Sequence, residues 1–598
     1  MSAKVVIVGA GPSGLVACKT LLEAATHDFP FDPIVLEQED DIGGTFRYRS
    51  YENATLVSSK QLTSFSDFRL PLSHSDHLTL EEYVDYLRDY ASHFHLWSRI
   101  YLACKVVNIS KDPQGGNNVS YVRKRKDNPA EWDSEAITIH TPYLAICTGL
   151  HVVPHVPDIP GVENILKNNP EAKLFHSSEY KSRNQLRGKK ILILGTGETG
   201  MDIAYESAKA GAKEVVLCSR AGFLSFPKAL NDFSLLGFKF ESKNPVPIDS
   251  LITNLGETAY VHPWVAKSHI RWFISDFVIK RVLWVLTGTQ AGCNQWVGEL
   301  EPERLGRAYV FLNKSHKAMP YINRPYRRRP AFMDYLSRYS DPDEDMSPQT
   351  DFTVELAPFP SHFTEGGRAV FPLDLDKRSR PKRKDAVRIQ GKVVKPNLVV
   401  YATGYKQEFG FLGEGYKMPG EADVRNICWS GDTSVAFIGF VRPGVGAIPP
   451  ISEIQSMFWV SLLKDQVHKP LRAAHYHLLV NENARIKYGV DHSTYVSTLA
   501  KDIGAAPGLR ELWREYGWHV LLCYCFGAAF IPFYRLVGPY KSPVAPMIIK
   551  TELWDTITRR GLIGNVMMGL IPMVFYLMLN TGAWFADRIS TGGLAAQE

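Results

Sequence analysis

Two short aliphatic runs, Val5–Val8 and Ile191–Leu194, each end on a glycine and pass at once into a helical alternation of apolar and polar positions. The first reads KVVIVGAGPSGLVACKTLLEA from Lys4, the second KKILILGTGETGMDIAY from Lys189. Runs this apolar predict strands buried on both faces, and the 3.6-residue recurrence behind the glycines predicts amphipathic helices. Strands alternating with helices argue for parallel sheets, hence an α/β fold. A third segment, Val261–Gly288, has a helical pattern rich in aromatics. It reads first as packing, and otherwise as the wall of a lipophilic channel or a helix lying on a membrane.

The chain's other end differs. Leu562–Leu579 is an apolar run interrupted only by Asn565, and with Gly582–Ala586 it is long enough to cross a hydrocarbon core of roughly 30 Å. Pro572 predicts a kink, which membrane helices tolerate. Arg559 and Arg560 precede the run, and cations there favour keeping the large domain cytosolic. The alternative is a buried hydrophobic hairpin with Val520–Tyr534 packed against the run. The apolar N-terminus is not read as a signal peptide, because Gly9, Gly11, Pro12 and Gly14 interrupt it too early.

At 598 residues the chain is too long for one core, and two or three domains are expected. A net charge of +6 is mild for this length, and no interleaved basic and aromatic stripe suggests nucleic acid. The run DKRSRPKRKD, Asp376–Asp385, carries six basic residues in the eight from Lys377 to Lys384. It reads as a solvated loop, with anionic lipid or a nuclear signal as alternatives. The eight cysteines are scattered and form neither a zinc-ligand spacing nor a disulfide framework, so a reducing compartment is expected and no metal site is assigned.

Both apolar runs lead into G-x-G-x-x-G. The first glycine makes the tight turn, the second lets backbone approach a pyrophosphate, and the third lets helix and strand pack closely. The helix start then offers free N–H groups and partial positive charge to phosphates. The next strand end distinguishes the two loops. PIVLEQ ends on Glu37, a carboxylate suited to ribose hydroxyls, so the first loop is assigned FAD. EVVLCSR ends on Ser219-Arg220, with no acid and a guanidinium fork for a 2′-phosphate, so the second is assigned NADPH. One cofactor stays bound and the other arrives to reduce it.

Further segments resemble the flavin-containing monooxygenase family. DIGGTFR, Asp41–Arg47, is similar to its G-G-x-W segment with Phe46 for Trp, and SSKQLTSFSDF, Ser58–Phe68, to its S-S-K block. Thr79–Leu96 resembles the helix that follows. ICTGLHVVPHVP from Ile146 and YATGY at Tyr401–Tyr405 resemble its two A-T-G motifs, which link the nucleotide domains. Ala436–Gln455 resembles the segment closing over the flavin, and Tyr534–Tyr540 a late family segment. The likeness covers residues 4–220 and 400–465 well, 466–545 weakly and 231–395 hardly at all. Three departures stand out. The fingerprint F-x-G-x-x-x-H-x-x-x-Y/F keeps His176 and Tyr180 but has Pro170 and Ala172 in place of its Phe and Gly. Tyr180, where Baeyer–Villiger enzymes carry Trp, favours the flavin-containing branch. Val57 replaces an asparagine whose amide lies near flavin and nicotinamide in the family and helps hold the oxygenated intermediate. The extra middle region is a candidate for a separate substrate pocket.

The resemblance implies an α/β protein with two Rossmann-like dinucleotide-binding domains, the NADPH domain inserted into the FAD domain, and a C-terminal hydrophobic tail. The expected boundaries are 1–160 and 391–465 for FAD, 161–390 for NADPH with a helical insertion, 466–561 for an extension and 562–586 for the membrane segment. Gly9, Ala10, Gly11, Pro12, Ser13, Gly14, Glu37, Thr45, Phe46, Leu56 and Ser58 are the expected FAD residues. Gly195, Gly197, Thr199, Gly200, Met201, Asp202, Ser219 and Arg220 are expected at NADPH, and Val57, Ser59 and Lys60 nearest the reaction, with Lys60 equally readable as a structural ion-pair partner. The expected activity is insertion of one oxygen atom from O2 into a lipophilic small molecule, in the manner of a fungal biosynthetic enzyme acting on a polyketide-like product. The alternatives are an NADPH oxidase or dehydrogenase releasing peroxide, a Baeyer–Villiger monooxygenase, and a non-catalytic FAD-fold escort protein. A thioredoxin-type reductase lacks its cysteine pair. The expected location is the cytosolic face of a membrane, the endoplasmic reticulum by preference, and otherwise the cytoplasm. The oligomeric state is left open.

Overall fold

The computed structural model describes residues 3–590 apart from 252–260, 271–311, most of 323–351, 478–488 and scattered shorter gaps. The run after Lys4 becomes the strand Ala3–Val8 inside a six-stranded sheet. Phe31–Leu36 and Tyr143–Ile146 flank it in parallel, with Val6 opposite Ile34 on one side and Leu144 on the other. Its side chains divide between two layers, as the two-residue period of a strand requires. Val5 and Ile7 pack with the helices Pro12–Ala24 and Ile448–Leu463. Val6 and Val8 pack with an antiparallel sheet of Cys104–Lys111, Asn117–Arg123 and Ile137–Thr141. Burial on both faces explains why the strand is apolar throughout.

The second run repeats the plan. Lys190–Leu194 lies in a five-stranded parallel sheet between Glu214–Cys218 and Leu398–Tyr401, with Val354–Ala357 and Lys173–His176 outside them. Leu398–Tyr401 pairs in this sheet although it lies beyond the expected boundary at residue 390, so the chain returns to the first unit only after Tyr401. The crossing is fixed by His176. Its Nδ1 accepts from the Ser178 amide at 3.1 Å, so Nε2 carries the proton and donates to Gly404 O at 3.0 Å. Burial holds this imidazole below its ordinary pKa, in the neutral form that the two bonds need.

The helix expected over Thr79–Leu96 spans Leu80–His93. Thr79 is its cap: the hydroxyl accepts from Glu82 N at 3.1 Å, and the Glu82 carboxylate accepts from Thr79 N at 2.8 Å. His95, at φ 55°, turns the chain out. Most of the insertion lies outside the described residues. Its described part includes the helix Pro263–Lys267 and an antiparallel sheet of Phe233–Leu235, Phe238–Phe240 and Ser337–Tyr339. Residues 271–288 of the aromatic segment lie outside the described residues.

A continuous helix of 29 residues, Gly561–Ile589, ends the described chain, with only 11% of its most apolar window buried. Leu562 and Ile589 are each 82% exposed. The buried-hairpin alternative is therefore not what forms. Val520 and its neighbours pack instead on Ala545, Ile548, Ile549 and Leu553. The helix widens to a π turn at Val566–Leu570, just before Pro572. A proline ring crowds the carbonyl four residues back, here Met568 inside that turn, and the wider turn accommodates it. Arg559 and Arg560 are not free headgroup cations. Arg559 pairs with Asp76 and Asp555, and Arg560, 8% exposed, donates to Phe526 O at 2.8 Å and to Ser250 O.

The helix Ile448–Leu463 is joined to the first-loop helix and the C-terminal region through a buried ionic cluster. Lys19 pairs with Asp67 and Glu23, and Arg535 with Asp67 at 3.2 Å and Glu453 at 3.5 Å. Glu453 also accepts from Ser66 N at 3.0 Å. Burial, reinforced by Asp67, raises the Glu453 carboxyl to about 7, while Lys19 and Arg535 outweigh burial at Asp67 and lower it. The folded Glu453 keeps its proton where the unfolded one, near 4.5, has lost it. Its contribution is therefore complete below about pH 4.5 and is lost as pH rises through about 7. Glu453→Gln, which imitates the protonated form, is expected to raise the melting temperature at pH 8 by roughly 2 °C, a gap that closes at pH 5 in a thermal-shift series.

Candidate cofactor-binding and active site

At the first loop, a Cβ on Gly14 would lie 1.8 Å from Gly9 O, so helix and strand touch there as only glycine allows. Gly9 sits at φ +105°, and a Cβ on it would meet Cys147 O at 2.8 Å. A Cβ on Gly11 meets nothing within 4 Å. The glycine that backbone packing does not require is the one facing open space, beside a helix start with no side-chain cap. That is a cradle fit for a pyrophosphate. Glu37 leans over it: Oε2 accepts from Ala10 N at 2.6 Å and Oε1 from Glu39 N at 3.0 Å. Burial, opposed by these bonds, pushes its carboxyl up. Gly43 N donates to Ala10 O at 3.1 Å, bringing the Gly43–Phe46 turn beside the loop. Thr45 is exposed, and Phe46 packs edge-on against Tyr83 at 4.8 Å. From the other side, Ser452 Oγ lies 2.8 Å from Ser13 Oγ, and Gln455 accepts from Gly439 N at 2.8 Å.

The second loop has the same construction. A Cβ on Gly200 would lie 2.1 Å from Gly195 O, and one on Gly195, at φ +120°, 2.2 Å from Ala402 O; one on Gly197 would meet nothing. The helix Glu198–Lys209 starts without a side-chain cap. Ser219 and Arg220 stand at the neighbouring strand end, with the exposed Arg220 guanidinium 5.9 Å from the Phe359 ring. The cradles are tied together by Tyr51, whose hydroxyl donates to Asp202 Oδ2 at 2.6 Å. Burial and the Asp202 charge keep that phenol protonated.

Several expected site residues have other work. Asp202 is engaged by Tyr51. Met201 is fully buried in the second core and Leu56 is 6% exposed in the first, so neither side chain faces its loop. Thr199 lies half-buried in the first turn of its helix. Ser58 donates to Gly446 O at 3.2 Å, joining its block to the segment that closes on the first loop. Ser59 caps the short helix Lys60–Thr63. Lys60 is buried. It is 1% exposed, and its ammonium donates to Pro71 O at 3.1 Å, Leu72 O at 2.9 Å and His74 O. Three acceptors match its three donors, so the reactive role expected for Lys60 is replaced by a structural one, through carbonyls rather than an ion pair. Val57, half-buried between Leu56 and Ser58, has no hydrogen-bonding side chain.

The sequence motifs did not mark two sets of residues. The insertion fastens the block around Val57: Asp249 accepts from Ser59 N at 2.8 Å, and Lys228 donates to Thr55. Arg383, inside the supposed solvated run, is 8% exposed and bonded to Ser219. No motif signals the first set; for the second, only the local density of charge does. Burial raises the thiols of Cys18 and Cys428 to about 12, and that of Cys525 to about 11, which keeps them protonated and unreactive.

A family pattern described as flavin-binding monooxygenase-like matches residues 2–237. The chain is 40% identical over 583 residues to Monooxygenase PC-14 of Penicillium crustosum, covering 96% of each. It is 41% identical over 568 residues to Monooxygenase ptmN of Penicillium ochrochloron, covering 93% of this chain and 90% of that one. Among solved structures it resembles the S-allyl-L-cysteine S-oxygenase of Allium sativum, with TM-score 0.51 and 15% identity over 94% of this chain and 99% of that one. With that fold likeness, near-complete relatives and two dinucleotide cradles, the chain belongs to the flavin-containing monooxygenase family and is an oxidoreductase.

Proposed function

We propose that this enzyme uses FAD, NADPH and O2 to insert one oxygen atom into a lipophilic small molecule, by hydroxylation, epoxidation or heteroatom oxidation, in a fungal biosynthetic route. The observation that carries the reading is the difference between the two strand ends: Glu37 over the first cradle, Ser219-Arg220 beside the second. When bound, NADPH supplies hydride and FAD the redox and oxygen-activating chemistry. The chain's part is to bind, orient and exclude water. Gly9, Gly11 and Gly14 open the first helix to a pyrophosphate, and Glu37 receives ribose hydroxyls. Gly195, Gly197 and Gly200 do the same for the second helix, and Arg220 offers its fork to the 2′-phosphate. Ser58, Gly439 and Ser452 close the first cradle. The FAD domain takes the sheet containing Ala3–Val8, and the NADPH domain the sheet that ends with Leu398–Tyr401. Similarity along nearly the whole chain to two Penicillium monooxygenases supports the biosynthetic part.

The helix Gly561–Ile589 is read as a membrane anchor, with the catalytic body on the cytosolic face. Its apolar, exposed side chains support that reading. A lipophilic substrate would then be drawn from the same membrane.

One observation favours a second reading. Val57 has no amide to offer, and a site that cannot retain activated oxygen releases peroxide instead. The two readings separate in one experiment on the purified full-length protein. NADPH oxidation, peroxide release and oxygen-18 incorporation from labelled O2 are followed with a panel of lipophilic substrates. Labelled product with little peroxide is the expected result. One peroxide per NADPH with every substrate makes the protein an oxidase, and a protein without flavin absorbance removes both readings. Val57→Asn is expected to lower peroxide per NADPH about twofold or more, a change of at least roughly 0.4 kcal/mol in partitioning. Arg220→Ala is expected to raise the KM for NADPH about tenfold while leaving that for NADH nearly unchanged.

A further inference from the structure

The basic run does not lie wholly in water. Lys382 and Lys384 are exposed, but Arg383 between them folds inward, with 8% exposure, against the end of the strand Glu214–Cys218. Its Nε donates to Asp385 Oδ1 at 3.0 Å and an Nη2 hydrogen to Asp385 Oδ2. Nη1 donates to Ser219 O at 2.8 Å and Nη2 to Ser219 Oγ at 3.0 Å. Asp385 is itself fully buried and also accepts from Ala386 N at 2.8 Å. On the far side, Ser219 N donates to Ala357 O at 3.0 Å. The backbone and hydroxyl of Ser219 are thus held from both sides.

The geometry has two chemical consequences. The Ser219 hydroxyl accepts from Arg383, so its single proton is left to donate elsewhere. The Arg383 charge is matched by Asp385, and four of its five N–H donors are committed, so it is not itself a ligand for an anion. Arg220, next in the chain, is exposed, and among the described residues no carboxylate pairs with it; it rests on the Phe359 ring. A buried ion pair is a poor way to gain stability alone, since apolar residues of the same volume serve as well. Its value lies in geometry, and the geometry it fixes is that of the strand end that faces the adenosine ribose in such folds.

We propose that Arg383 and Asp385 are positioning residues for coenzyme selectivity: by clamping Ser219 they aim its hydroxyl and the adjoining Arg220 at a 2′-phosphate. This rests on the reading of the second loop as the NADPH site, deepens it, and gives the basic run a use other than solvation or lipid contact.

The test is binding of NADP+ and NAD+, which differ only in that phosphate, to the purified full-length protein by isothermal titration calorimetry. The variants are Ser219→Ala, Arg383→Lys, Asp385→Asn and Arg220→Ala. Ser219→Ala leaves the buried pair intact and so reports even if the charge variants fold poorly. Loss of one charge-assisted contact is expected to weaken NADP+ binding by about tenfold in Ser219→Ala and Arg383→Lys, with NAD+ affinity changed by less than about twofold. In steady state the KM for NADPH rises while kcat holds. If Arg220→Ala abolishes the preference for NADP+ while Ser219→Ala and Arg383→Lys retain it, the clamp has no part in selectivity and the inference falls. Equal weakening of both nucleotides in those two variants overturns it as well. If Arg220→Ala itself leaves the preference untouched, the assignment of the second loop to NADPH falls first.

Discussion

The structure depends on two contacts too close for any side chain. At Gly14 and Gly200 a helix rests directly on the carbonyl of the glycine that turns the chain out of its strand. That approach sets the distance from sheet to helix and leaves the helix's first N–H groups at the carboxyl end of the strands. The rest of the site is hung from that point. Glu37 reaches Ala10 because the neighbouring strand ends level with the turn, and Arg220 stands beside the second turn for the same reason. A methyl group at either position would push helix and strand apart and move each of these groups with them.

Around this frame, fixed contacts converge on the turn that carries Val57. Ser58 is held by Gly446, Ser59 by Asp249, Lys60 by three carbonyls and Thr55 by Lys228. Two of these partners, Lys228 and Asp249, come from the stretch that follows the second nucleotide loop. The insertion is therefore part of the wall around the Val57 turn rather than an appendage. It reaches there because Arg559 and Arg560 secure its Pro245 and Ser250 carbonyls from behind.

What could be read from the sequence was local. The strands and the glycine turns each follow from a few adjacent residues, and the helix after Thr79 from a family likeness, and all form where expected. What could not be read depends on partners far along the chain. Lys60 sits in a motif, but its role is set by carbonyls of Pro71, Leu72 and His74. Met201 follows the second glycine turn, yet helical rotation points it into the core. Arg559 and Arg560 read as cations that keep the large domain cytosolic, whereas Asp76, Phe526 and Ser250 claim them. The strand Leu398–Tyr401 belongs to the second sheet because parallel pairing joins residues distant in sequence, which no local pattern records. A dense basic run looks solvated by composition alone; only a buried carboxylate two residues away, and a serine just past a distant strand end, turn one of its members inward.

The foot of the last helix has a mechanical meaning. Arg560 grips two carbonyls and Arg559 two carboxylates, so the helix leaves the body through a rigid joint and not a swivel. A tether of that kind transmits orientation. Were the helix set in a bilayer, as proposed, the body would not tumble freely above it and would present the same flank to the lipid in every molecule.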